Sequence, residues 1–279
     1  MADFSTQGGL QVAESAGIVS ADTGGTAITA NATANTKGSY TELIASTSYH
    51  TSFVMVTIIY PADATAGDYL VDIAIGAASS EVVIIPNLLF TKAGTSTTNI
   101  SRQQTYHYSF PIEIASGTRI SARCQCTTGS EAIDVSMQLF GQSLMPSSAG
   151  SRVVAVGATT ADSGGTQVTA GTSNSKGSYT QLTASSDHIK GFVLAMGWRN
   201  IDFAANIRLQ IDVAIGSAAS EKIILPDWML MLNEAEMINN PTSPFIPLEI
   251  PSGSRVSIRV QQNSTNSRGN IDYIIYGVV

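Results

Sequence analysis

The sequence predicts an all-β protein made of two tandem, duplicated β-sandwich domains of jelly-roll type. Three observations carry that prediction. A hairpin-like stretch is written twice, the rest of each half repeats around it in the same order, and helical periodicity is nearly absent. Val71–Pro86 reads VDIAIGAASSEVVIIP and Ile211–Pro226 reads IDVAIGSAASEKIILP, with nine of sixteen positions identical. Val71, Ile73 and Ile75 are expected to point one way and Asp72 and Ala74 the other, the period of two of a half-buried strand. Gly76–Ser80 fits a five-residue hairpin loop and Glu81–Ile85 the returning strand. Pro86 has no N–H to donate and marks where pairing is expected to stop.

The repeat reaches well beyond the hairpin. Upstream, Ala21–Ser46 recurs as Ala161–Ser185; downstream, PIEIASGTRISAR at Pro111–Arg123 recurs as PLEIPSGSRVSIR at Pro247–Arg259. Both halves finish on an apolar run closed by an aromatic and a glycine, Val135–Gly141 and Ile271–Gly277. Spacing between the copies is 140 or 139 residues early and 136 later. Surface loops tolerate such drift and packed strands do not, so each half is read as a complete fold. A solenoid would need shorter and more numerous units. The organisation that follows is an N-terminal arm or lead-in strand at 1–17, a first sandwich at 18–141, a linker at 142–152 and a second sandwich at 153–279.

Taken in order, strands are expected at Thr26–Ala30, Tyr40–Ala45, Phe53–Tyr60, Leu70–Ile75, Glu81–Ile85, Tyr106–Ile114, Arg119–Cys126 and Val135–Phe140. Short strands punctuated by Gly, Ser, Asn and Pro are the pattern of a sandwich. The one stretch with a helical option is Trp228–Ile238, WMLMLNEAEMI. The predicted core comprises Ile73, Ile75, Val83, Ile85, Ile112, Ile114, Ile120 and Leu139, with Val213, Ile215, Ile224, Leu225, Leu248, Ile250, Val256 and Ile275 in the second half. The linker is short and rich in Pro, Ser and Gly, which places the two sandwiches side by side.

Composition narrows the function. The chain has 279 residues, only 13% of them charged, and a net charge of −7. An acidic chain is a poor partner for nucleic acid, whose phosphates need a basic face. No apolar run approaches the roughly 18 residues of a membrane span, and the start MADFSTQGGL lacks the basic and apolar regions of a signal peptide. A surface short of charge is suited to contact with other protein.

The search for chemistry assigns no catalytic residue, metal ligand or cofactor site. Asp72 with Glu81, and Asp212 with Glu221, are the best carboxylate pairs, since glycoside hydrolysis uses two carboxylates facing a cleft. Their neighbours Arg119 and Arg123, or Arg255 and Arg259, instead suggest sheet-face ion pairs. Ser186, Asp187 and His188 are adjacent in sequence and cannot easily form a relay. Cys124 and Cys126 share a strand face and are read as small inward-facing side chains. A metal site there would need two more soft ligands, and His50, His107 and His188 show no matching spacing; an intermolecular disulfide stays open. Asp227, Asn239 and Asn240 are read as turn formers rather than calcium ligands. Tyr106, His107, Tyr108, Trp198 and Trp228 fit core or interface packing better than a sugar-stacking platform.

KGSYTEL, DIAIGAASSEVVIIPNLL and IASGTRISAR resemble segments of small β-sandwich structural proteins of tailed bacteriophages. The resemblance covers both halves and implies a virion component, assembled in the host cytoplasm: a head decoration or cement protein, or a tail, collar or fibre protein. It implies other virion proteins as partners; with the charge, hydropathy and motif readings above, no enzymatic role and no nucleic-acid or membrane partner are expected. A carbohydrate-binding sandwich acting in host attachment is the alternative. Exposed aromatics at loop tips would favour that alternative, and aromatics buried in the core or at interfaces would favour the structural role. A homo-oligomer is expected, a trimer before a dimer, because three two-domain chains supply six similar domains.

Overall fold

The computed structural model describes residues 12–21, 23–60, 67–92, 105–141, 149–171, 174–198, 207–232, 241–263 and 270–279, and these form nineteen strands. The first half contains β1 (Val12–Ala16), β2 (Ile18–Val19), β3 (Gly24–Thr29), β4 (Thr41–Ile44), β5 (Phe53–Ile59), β6 (Gly67–Ile75), β7 (Val82–Lys92), β8 (Tyr106–Phe110), β9 (Ile120–Cys126) and β10 (Ala132–Gly141). The second contains β11 (Val153–Val156), β12 (Ala158–Thr159), β13 (Gly164–Thr169), β14 (Thr180–Thr183), β15 (Gly191–Trp198), β16 (Ile207–Ile215), β17 (Lys222–Leu232), β18 (Val256–Gln262) and β19 (Asn270–Val278).

In the first domain one sheet runs β3-β10-β5-β8, with β1 on β10 and β2 on β3; the facing sheet runs β4-β9-β6-β7. From β3 onward consecutive strands alternate between the two sheets, except at the β6–β7 hairpin, which is jelly-roll topology. The second domain repeats it as β13-β19-β15 facing β14-β18-β16-β17. Where the first has β8, the second has only isolated bridges, Ala195 to Thr242, Phe192 to Ile246 and Ile189 to Ile250. The expected all-β pair of duplicated sandwiches is therefore the fold observed. The lead-in strand of the arm is β1, paired with β10 from Val12–Gly141 to Ala16–Met137.

Two local expectations change. The hairpin strand does not stop at Pro86: β7 continues to Lys92. Val71 pairs with Leu88 and Ile73 with Ile85, so Pro86 and Asn87 together oppose Asp72 in a bulge. Because β7 is an edge strand, the missing proline N–H costs little there. In the second domain Trp228–Leu232 lies in β17 and not in a helix, while 233–238 falls outside the described residues.

The predicted core is mostly found. Ile73, Ile85, Ile112, Ile114, Ile120, Leu139, Val213, Ile250, Val256 and Ile275 are buried. Ile75, Val83, Ile215, Ile224, Leu225 and Leu248 are only partly buried. A register shift between Ile73 and Ala74 turns Ile84 inward in place of Val83. Nor is β6 half-buried as expected, since it is buried on both faces from Asp68 to Ala74. One face meets the core of its own sandwich and the other is covered by polar side chains and by the second domain.

That second domain packs onto the first with an aromatic seam. Val193, Ala195, Ile274, Tyr276 and Val278 join the same buried cluster as the core of the first domain. The Tyr276 hydroxyl accepts the Leu89 N–H at 2.8 Å and donates to the Asn87 carbonyl at 2.6 Å, while the Tyr108 hydroxyl donates to the Leu89 carbonyl. Two tyrosines thereby cap the free edge of β7, which would otherwise invite another strand. Tyr108 meets Tyr276 edge to face, with ring centroids 5.3 Å apart. At Gly197 any Cβ would sit 2.8 Å from Leu89 Cδ2, so glycine allows β15 its close approach to β7.

Ile73 is fully buried at the centre of the first sandwich. Ile73→Ala should lower unfolding stability by about 2–5 kcal/mol through lost transfer energy and a cavity, read by denaturant titration. An unchanged midpoint would refute the assigned face.

Candidate functional site

The bulge in each hairpin is built around a carboxylate. In β6, Asp72 Oδ1 accepts from Lys37 Nζ at 2.8 Å and from the Asn87 N–H at 2.9 Å, and Oδ2 accepts from Arg123 Nε at 3.0 Å. In β16, Asp212 Oδ1 accepts from Lys176 Nζ at 2.8 Å and the Asp227 N–H at 2.9 Å, and Oδ2 from Arg259 Nε at 2.8 Å. The two sets match position for position. Lys37 and Lys176 open the repeated KGSY block, Arg123 and Arg259 lie on β9 and β18, and Asn87 and Asp227 follow the proline of the bulge. Each arginine also lies over the tyrosine of its KGSY block, 4.5 Å from the Tyr40 centroid and 4.6 Å from that of Tyr179.

These contacts use the carboxylates up. Both Asp72 and Asp212 are buried, and their oxygens carry donors from three separate parts of the chain. The bulge turns Asn87 and Asp227 into left-handed backbone, φ 54° and 48°, which aims each N–H at the aspartate instead of into the ladder. Burial alone would raise the Asp212 pKa. The donors from Lys176, Asp227 and Arg259 outweigh it and hold that carboxyl below its ordinary range. Burial pulls the Lys37 ammonium below its ordinary value despite Asp72. At Lys176 burial also acts downward but is outweighed by Asp212 and Asp227, so that ammonium is raised; Asp227 Oδ1 lies 2.6 Å away, a second carboxylate that Asn87 does not supply.

The other predicted carboxylates are engaged too. Arg119 bridges Glu42 at 2.7 Å and Glu81 at 3.1 Å and donates to the Gly76 carbonyl, pinning the hairpin loop to β9. Arg255 does the same with Gln181, Glu221 and the Gly216 carbonyl. Asp72 and Glu81 therefore belong to separate ion pairs, and so do Asp212 and Glu221; neither pair faces a shared cleft. The expected sheet-face ion pairs are what the structure contains.

The remaining candidates are dispersed. Ser186 donates to the Pro251 carbonyl, and Asp187 pairs with Arg152 at 3.2 Å. Cys124 and Cys126 are buried, and burial pushes the Cys124 thiol up to about 12. A buried thiol cannot reach a second chain, which removes the intermolecular disulfide. Among the described residues no cluster of three His, Cys, Asp or Glu could hold a metal. Asp227 is a bulge residue in the clamp; Asn239 and Asn240 lie outside the described residues.

Of the predicted aromatics, the two tyrosines are spent internally, while Tyr49 elsewhere is exposed. Tyr106 and Tyr108 are fully buried, with Tyr106 donating to the Met196 carbonyl across the domain boundary. His107 faces outward beside Thr57, 3.1 Å from its hydroxyl. Trp228 is half-buried on β17, and Trp198 ends β15. Sequence reasoning missed Lys37, Lys176, Tyr40, Tyr179 and Asn87 as members of the clusters. The signal was present, since the KGSY block and the proline of the bulge are repeated with Asp72 and Arg123.

No family model and no curated protein matches the chain. Among solved structures it is similar to PNGF-II, at 12% identity over 90% of this chain with a TM-score of 0.36. It spans 61% of the length of PNGF-II. It is also similar to PNGase F, a glycosylasparaginase from Flavobacterium meningosepticum, at 10% identity over 90% of this chain and 93% of that one, TM-score 0.35. A tandem CBM22 domain from Paenibacillus barcinonensis Xyn10C aligns at 9% identity over 86% of this chain and 82% of that one, TM-score 0.24. The expectation that the chain is no enzyme is corrected here. Its structural neighbours include a glycosylasparaginase, so missing sequence motifs do not exclude enzymatic activity. At these scores the likeness assigns none either.

Asp212→Asn keeps the shape of the clamp and removes its charge. It should cost about 2–3 kcal/mol at neutral pH, discounted from a fully buried pair because Lys176 and Arg259 are partly exposed. The folded-state pKa lies below the ordinary 3.8, so the stabilisation is complete above that value and is lost as pH falls through the folded-state pKa. The variant's unfolding free energy should accordingly fall less steeply in acid than that of the parent, measured by urea titration across pH. Parallel pH profiles would refute the role.

Proposed function

We propose that the chain is a structural protein that works through protein–protein contacts, as a component of a tailed-phage particle. The observation that carries this reading is where the aromatics are. Tyr106, Tyr108 and Tyr276 are buried and join one domain to the other, which leaves no aromatic platform for a sugar among them. The ion clusters support the same reading, because their charges brace hairpins and face no cleft. The apolar side chains exposed on β17, Ile223 and Met229, offer a flat face to another protein. The place in a virion comes from the resemblance of the repeated segments to phage β-sandwich proteins.

Mass spectrometry of purified virions carrying this gene, with heads and tails separated, tests it. The chain should be present in many copies per particle and partition with one of the two fractions. Its absence from washed particles would overturn the reading. Micromolar binding on a glycan array would instead favour the carbohydrate-binding alternative.

A further inference from the structure

The two domains of one chain meet head to tail. The outer face of β11, β15 and β19 in the second domain covers the outer face of β6 and β7 in the first. Because the domains are copies, each also owns the other half of that interface. The covered side in the first domain is made by Leu70, Leu89 and Asp68, all buried. Their counterparts by sequence spacing are Gln210, Met229 and Arg208; Gln210 is half-buried, Arg208 and Met229 are exposed, and no described residue covers them. Met229 is 62% exposed and Ile223, the counterpart of Val83, 38%.

The covering side shows the same asymmetry. Every described side chain of β15 and β19 is buried, whereas β10 alternates between partly buried and buried along its whole length. Counting back through the repeat, Val193, Ala195 and Tyr276 correspond to Phe53, Met55 and Phe140. Phe53 and Phe140 are partly exposed and lie against each other, with centroids 6.0 Å apart. One chain thus carries an uncovered socket on its second domain and, on its first, an uncovered plug in which Phe53, Met55 and Phe140 are apolar and Ser136, Gln138 and Thr57 polar.

We propose that a second copy of this chain occupies the β16–β17 face, through the β5–β10 face of its first domain, repeating the contact between domains within one chain. The partner is fixed by this repetition, since the plug that fits the covered socket exists once more only on another copy. The chain-to-chain contact differs in chemistry from the internal one. Phe140 has no hydroxyl to cap a strand edge as Tyr276 does, and Phe53 and Met55 are bulkier than Val193 and Ala195. Flexible Met229 adapts to the wider spacing. A head-to-tail contact closes into a ring or extends without end, and three copies place six similar domains in a ring. The proposal deepens the structural reading above and supplies its partner, but the two fail separately: a chain absent from virions can still self-associate.

Light scattering on the full chain at high micromolar concentration should give the mass of three chains, each of 29.2 kDa. Met229→Asp and Ile223→Glu, both at exposed positions, should each return it to one chain with an unchanged circular dichroism spectrum. Thr57 stands where Gly197 faces Leu89, so the double variant Thr57→Cys, Met229→Cys should be cross-linked between chains by a short bis-maleimide, and neither single variant should. The native thiols are buried and stay silent. A single-chain mass for the parent protein, or an oligomer that both charge substitutions leave intact, would overturn the proposal.

Discussion

The structure depends on a buried aspartate that holds a broken edge strand in place. A proline and a left-handed residue interrupt β7 and β17 where a continuous ladder would otherwise run, and the carboxylate of Asp72 or Asp212 accepts the N–H that the ladder leaves over. The same oxygens fasten a lysine from the loop before β4 or β14 and an arginine from β9 or β18. Three segments distant in sequence are thereby fixed to one hairpin. An unpaired charge at such a depth would be costly, so the cluster enforces its own completeness. This is why the repeat retains lysine, tyrosine, aspartate, proline and arginine together while the loops between them drift.

The bulge has a consequence for the domain arrangement. Beyond it β7 runs on as Leu88, Leu89 and Phe90, all buried: Leu88 and Phe90 in their own core, Leu89 against the second domain. The edge that the bulge exposes is capped by tyrosine hydroxyls and covered by a sheet. In the second domain the same continuation carries Met229 into solvent. One interface, made once inside the chain, therefore accounts for the burial of β6 on both faces, for Gly197, and for the open apolar face at the far end.

Much of the fold was legible because alternation and duplication are written in the residues themselves. The strands, the loop at Gly76–Ser80 and most of the inward-facing isoleucines followed from period and repeat. What escaped was set by contacts between distant segments. Pro86 reads as a stop in isolation, and only the carboxylate of Asp72 makes it a bulge. Val83 and Ile84 exchange faces because of a register shift that no local pattern marks. The ion pairs of Arg119 and Arg123 were visible as neighbours of Asp72 and Glu81, whereas Lys37 and Lys176 were marked only by the repetition of the KGSY block, which does not say which carboxylate they reach. Burial of Tyr106 and Tyr108 was expected; that their hydroxyls would join two domains depended on how the halves pack.

The account is tested most directly by hydrogen exchange at the two bulge amides. Asn87 and Asp227 sit on edge strands outside the ladder, where an amide facing water exchanges at close to the rate of an unfolded peptide. If Asp72 and Asp212 hold them as described, both N–H groups should exchange as slowly as neighbouring core amides such as that of Ile73. Rapid exchange at Asn87 and Asp227 beside a protected Ile73 would show that the carboxylates do not clamp the hairpins, and would contradict the account.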